Sequence, residues 1–116
     1  CENGACKGNN CRLSSASWSV NQARAGDTVG LTVTGSDCEG ENLIFYVLES
    51  DTFSGDDPAN NNPRDAIIRN GIANTNWTVE DQIDEWLTKP EYFFVARVES
   101  APQFSVSVNS GLLQVV

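Results

Sequence analysis

The stretch DTVGLTVTG, residues 27–35, alternates threonine or glycine with valine or leucine. Successive side chains of an extended chain point to opposite sides, so Val29, Leu31 and Val33 share one face. Thr28, Gly30, Thr32 and Thr34 share the other. One apolar face and one small polar face are what a strand half-buried in a sheet requires. The flanking segments repeat the pattern. Upstream, RLSSASWSV (12–20) alternates apolar with small polar residues, and NQARAG supplies a turn between the two strands. Downstream, SDCEGEN leads to LIFYVLES (43–50), whose β-branched and aromatic content predicts a central strand.

The rest of the chain reads as further strands. DTFSGDDPANNNPRD (51–65), with two prolines and a triple asparagine, predicts a long surface loop or a ragged edge. AIIRNGIANTNWTVE predicts two short strands around the Asn70-Gly71 turn signal, with Ala73, Thr75, Trp77 and Val79 on one face of the second. DQIDEWLTKPEY fits either a helical turn or two, stopped by Pro90, or a short crossover. EYFFVARVES (91–100) is a strong strand. QFSVSVNSGLLQVV (103–116) is a last one, broken near Asn109-Ser110-Gly111 as at a bulge where an edge strand changes partner. About seven strands separated by turns, with no long helix, predict an all-β antiparallel sandwich with Greek-key connections. A cysteine-rich irregular head, residues 1–11, precedes this domain, residues 12–116.

The series W-S-V, A-G-D-T-V-x-L-T-V-x-G, C-x-G, I-F-Y-V-x-E-x-D, N-W-T-V, P-E-Y-F-F-V-A-R-V and the closing S-G-L-L-Q-V-V resembles an immunoglobulin-like module of archaeal and bacterial extracellular or cell-surface proteins. The resemblance spans residues 13–116 and is most specific at Pro90–Ala96 and Leu112–Val116. It implies a corner hydrogen bond for Tyr92 at the start of the penultimate strand. The antibody-type pair of intersheet cysteines is absent, so Trp18, Trp77, Phe45 and Phe94 must fill the core instead.

Composition bounds the function. The chain of 116 residues is one domain, long enough to bury roughly 65% of its unfolded surface. Sixteen acidic against seven basic residues, a net charge of −9, repel phosphate backbones, which argues against a nucleic-acid partner. No apolar run reaches the roughly 18 residues of a membrane span. With no initiator Met and no signal peptide, the chain reads as a mature product or an excised segment. It contains no histidine, hence neither the commonest general base nor the commonest metal ligand.

The four cysteines, spaced C-x4-C-x4-C-x26-C, fit neither the C-x2-C of zinc knuckles nor the C-x4-C-x2-C of plant-type iron–sulfur sites. They also lack the C-x-x-C of a redox pair. Lipidation of Cys1, as in bacterial lipoproteins, would leave an odd number of thiols. A hairpin of 12–20 with 27–35 pairs residues so that position 9 faces 38, which brings Cys11 to Cys38 and leaves Cys1 to Cys6. Two disulfides, Cys1–Cys6 and Cys11–Cys38, in a small acidic chain predict an oxidising, extracellular setting.

Other candidates are weaker. Glu80, Asp81, Asp84 and Glu85 are adjacent in sequence, a solvated face rather than two carboxyls set across a cleft. Asp51, Asp56, Asp57 and Asp65 surround the long loop but lack the spacing of a calcium-binding EF-hand. No cofactor is expected. Asn76-Trp77-Thr78 is an N-glycosylation sequon; with Trp77 inward, Asn76 and Thr78 face solvent. Residues 43–48 and 92–95 are apolar on both faces, although a sandwich covers only one. Ile44, Tyr46, Leu48, Phe93 and Val95 therefore need a cover: a loop, the 80–90 segment, or another subunit. Open strand edges offer a second route to assembly. The expected function is a non-catalytic structural protein of the cell surface, self-associating into a filament or array, with adhesion as an added role. The alternative is a carbohydrate-binding module that stacks sugar on Trp86 or Tyr46.

Overall fold

Burial with a period of two runs through the long strands, broken in the first by a bulge. The structure, a computed structural model, describes residues 11–50, 57–80, 90–101 and 106–116. These residues form ten strands and no helix: β1 (Arg12–Trp18), β2 (Gln22–Ala23), β3 (Thr28–Ser36), β4 (Asn42–Glu49), β5 (Asp57–Pro58), β6 (Ala66–Ile67), β7 (Ile72–Thr78), β8 (Glu91–Val98), β9 (Ser107–Asn109) and β10 (Leu113–Val115). On β3, Val29, Leu31 and Val33 are buried, as are Leu43, Phe45 and Val47 on β4 and Tyr92, Phe94, Ala96 and Val98 on β8. Their partners in the alternation face outward, so the expected strand faces hold.

The strands form two layers with the core between them. The smaller sheet has the order β1-β3-β7, the larger β2-β10-β8-β4-β5, with β6 also on β4 and β9 also on β8. In chain terms seven passages carry the ten strands, because three of them are interrupted. The first passage ends its pairing with β3 at Trp18 and crosses to the other layer, where β2 runs parallel to β10 through Gln22↔Gln114 and Ala23↔Val115. This parallel pair corrects the expectation of a wholly antiparallel sandwich. It follows from the crossing: after Ser19 exchanges hydrogen bonds with Gly30, the chain turns and meets the free side of β10.

The last passage breaks where expected. Ser110 replaces the regular ladder: its N–H donates to Phe94 O at 2.8 Å and its Oγ accepts from Phe94 N–H at 2.8 Å. Residues 107–109 and 113–114 thus both pair β8 with one residue of offset between them, a bulge. The third interrupted passage is the ragged edge. Between β5 and β6 the chain stays beside β4: Ala59 N–H donates to Val47 O at 2.9 Å, and Val47 N–H donates to Asn62 Oδ1 at 2.9 Å. An asparagine side chain here takes the place of a strand carbonyl, which closes the β4 edge to strand addition.

The Asn70-Gly71 hairpin shrinks to a corner. Both residues have positive φ, 55° and 84°, as a type I′ turn demands. Yet only Arg69↔Ile72 is bridged, because β6 belongs to the larger sheet and β7 to the smaller. The turn carries the chain between layers.

Cys11 and Cys38 form a disulfide, both buried, with Cα atoms 4.6 Å apart. The hairpin register differs from the expected one by one to two residues: Arg12 faces Ser36 and Trp18 faces Leu31, with a bulge between Leu13 and Ser15. The shift still leaves the two cysteines flanking the open end of the hairpin. Gly35 lies beside the bridge, where an added Cβ would stand 2.8 Å from Arg12 O and 3.2 Å from Cys38 Sγ. Cys1 and Cys6 lie outside the described residues, as does the 81–89 segment.

The double variant Cys11→Ala/Cys38→Ala is expected to lose about 3 kcal/mol, since the bridge spans 27 residues of chain. Gly35→Ala is expected to lose about 1–3 kcal/mol through the clash with backbone. Urea denaturation midpoints at unchanged slope measure both.

Candidate functional site

The outer face of the larger sheet gathers the five expected apolar residues. Register pairs Tyr46 with Val95 and Leu48 with Phe93 directly across β4 and β8, and Ile44 with Arg97. All five are half-buried rather than exposed. Residue parity explains the assembly: each is one step from a core residue, so both faces of these strands are apolar. Ile67, 44% exposed, extends the patch past Asn42 at one end. Arg97 places its guanidinium over the Tyr46 ring, 5.9 Å from the centroid, and its Nε donates to Tyr46 Oη at 3.1 Å. This contact, of about 0.5–1 kcal/mol, gives the ring a partner within the chain. Tyr46 is therefore a capped ring and not a bare platform for sugar stacking. Trp86, the other expected platform, lies outside the described residues.

The outer face of the smaller sheet has the opposite chemistry. Ser15, Ser17, Thr28, Thr32, Thr34, Asn74, Asn76 and Thr78 line it, with Gly30 and Ile72. Cross-strand hydrogen bonds tie it laterally: Thr32 Oγ1 donates to Asn74 Oδ1 at 2.9 Å, and the Ser15 and Thr34 hydroxyls lie 2.6 Å apart. Arg12 stands at one end of the array, and between Thr28 and Thr34 the array has no charged side chain. Asn76 and Thr78 are exposed and Trp77 is buried, as the sequon's alternation implied.

The carboxylates divide. Glu80 is half-buried and does more than face solvent: its Oε1 accepts from Asn60 N–H at 2.9 Å, its Oε2 from Asn61 N–H at 2.7 Å, and Asn61 Nδ2 also donates to Oε2. It clamps the triple-asparagine passage, whose Asn61 O in turn accepts the Trp77 indole N–H at 3.0 Å. Sequence reasoning missed this role because the contact joins residues about twenty apart that no local spacing connects. Asp81, Asp84 and Glu85 lie outside the described residues. Of the calcium candidates, Asp65 accepts from Asn42 Nδ2 at 2.9 Å, while Asp51 and Asp56, and the side chain of Asp57, lie outside the described residues. Among the described residues no group of three or more Asp, Glu, Cys or His side chains converges as a metal cage would. Nor is any helix there long and apolar enough to cross a membrane.

A shallow groove of about 500 Å³ lies between the end of β1 and the β9–β10 bulge, lined by Ser17, Trp18, Ser19, Asn21 and Leu112 among others. Trp18 is half-buried and donates its indole N–H to Gly111 O at 3.0 Å. Leu112 and Val20, 49% and 46% exposed, stand at the groove. No protein-family model matches the chain, and no curated protein does either.

Glu80→Ala is expected to lose about 1–2 kcal/mol, since it strands two backbone donors. Glu80→Gln, which can accept only one of them, is expected to fall between the variant and the parent in thermal denaturation.

Proposed function

We propose that the chain is a non-catalytic extracellular structural domain, an immunoglobulin-like sandwich that repeats as the subunit of a surface filament or array. The observation that carries this reading is the contrast between the two outer faces: apolar Ile44, Tyr46, Leu48, Phe93 and Val95 on the larger sheet, hydroxyl- and amide-lined on the smaller. A sandwich needs only its inner faces for its core, so a second apolar face is surface to be covered by a neighbour. The strand order supports the immunoglobulin-like part: β1-β3-β7 faces β2-β10-β8-β4-β5, and the first passage switches sheets to run parallel to the last. The buried disulfide supports the extracellular setting. With the β4 edge closed by residues 57–67, assembly rests on the sheet face rather than on strand addition there.

The alternative, a carbohydrate-binding module, is supported by the groove beside Trp18, where an indole adjoins Ser17, Ser19 and Asn21. Sugar binding there would stack on an aromatic ring and use small polar side chains for hydroxyls.

Sedimentation velocity on the full chain over a concentration series, with electron microscopy of the associated material, separates the two. The array reading expects concentration-dependent association that Leu48→Asp and Val95→Lys abolish and Thr32→Asp, on the opposite face, leaves intact. Monodisperse monomers at the highest attainable concentration, together with glycan-array binding lost in Trp18→Ala, would establish the alternative.

A further inference from the structure

We propose that Asn76 carries an N-linked oligosaccharide, which makes the outer face of the smaller sheet a glycan face. The inference rests on the extracellular reading above, because N-glycosylation acts on exported chains. Three observations converge on Asn76. It begins an Asn-x-Thr sequon whose middle residue, Trp77, is buried, so strand alternation turns both Asn76 and Thr78 out to solvent. Its directly opposed neighbour on β3 is Gly30, so no side chain stands across from it. A Cβ at position 30 would already come within 3.8 Å of Asn76 Oδ1 and 3.4 Å of the Ser19 side chain. Third, β7 ends the smaller sheet, and among the described residues the Asn76 carboxamide has no hydrogen-bond partner, unlike Asn74 two residues away, which accepts from Thr32.

The chemistry is a substitution at the anomeric carbon of a polyprenol-phosphate-linked oligosaccharide. Asn76 Nδ2 forms the bond to C1, the C1–O bond breaks with its electron pair leaving on the phosphate, and the displaced amide proton is taken up by base. No oxidation state changes. The glycan then extends over Ser, Thr and Asn side chains that offer it hydroxyl and amide partners, with the exposed Ile72 as the apolar side chain at the far end of the strand. It also shields this face from neighbours, which leaves the apolar face of β4 and β8 as the side open to assembly.

The test is mass spectrometry of the full chain secreted from an N-glycosylating host, alkylated before recovery. The expected result is an oligosaccharide mass increment on the peptide containing Asn76. It should be lost in Asn76→Gln and in Thr78→Ala, and retained in Thr78→Ser, which keeps the sequon hydroxyl. Circular dichroism of each variant reports that the sandwich is intact. An unmodified Asn76 in a chain whose Cys11 and Cys38 resist alkylation overturns the glycan and leaves the extracellular reading standing. An increment that survives Asn76→Gln overturns it equally. Alkylated Cys11 and Cys38 in the recovered chain would overturn both.

Discussion

Five aromatic rings drawn from both sheets touch in a single run, and the sandwich depends on them. Phe45 meets Phe94 at 5.9 Å, Phe94 meets Trp18 edge-on at 5.0 Å, Trp18 meets Trp77 at 5.9 Å, and Trp77 meets Tyr92 edge-on at 5.0 Å. Trp18 and Trp77 come from the smaller sheet and the other three from the larger, so the run crosses the interlayer space twice. Each such pair contributes about 0.5–1.5 kcal/mol beyond the area it buries. Together they do what an intersheet disulfide does elsewhere in sandwiches, by packing instead of by a covalent bond. The Cys11–Cys38 disulfide acts elsewhere, fastening the open end of the β1–β3 hairpin.

The two indole N–H groups extend this run to the margins of the fold. Trp18 donates to Gly111 at the bulge that splits the last passage, and Trp77 donates to Asn61 in the ragged edge beside β4. An indole packed on the core, buried for Trp77 and half-buried for Trp18, is stabilised by an acceptor, and here each acceptor is a carbonyl in irregular backbone. The irregular segments are thus tied to the core that tolerates them. Glu80 and the Asn62 side chain complete the arrangement at the β4 edge by satisfying backbone N–H groups that a regular strand would have paired. The outcome is a sandwich with one edge blunted and its two outer faces chemically distinct, the contrast on which the proposed facial mode of assembly rests.

Much of this was readable beforehand, and the reason differs from element to element. Val29, Leu31 and Val33, or Ala73, Trp77 and Val79, announce their inward face because alternation is a local property of an extended chain. Asn70-Gly71 announces its turn because few residues accept positive φ. The pairing of Cys11 with Cys38 survived a register that was off by up to two residues, since a disulfide needs only proximity at the hairpin end. What was not readable is long-range: the parallel β2–β10 pair, the Asn62 side chain standing in for a strand carbonyl, and Glu80 reaching residues 60 and 61.

The residue pattern alone thus settles the all-β class, the strand faces, the core residues and one covalent link, because each follows from a period of two or from a residue type with a single conformational use. It also marks which side chains are surplus to the core, including Tyr46, Leu48 and Phe93. Folding in three dimensions settles which passages switch layers, which edges are closed, that Tyr46 is capped by Arg97, and that Asn76 faces a glycine. Those features arise between segments tens of residues apart, where the choice among partners is made by the whole packed core and not by any local stretch of chain.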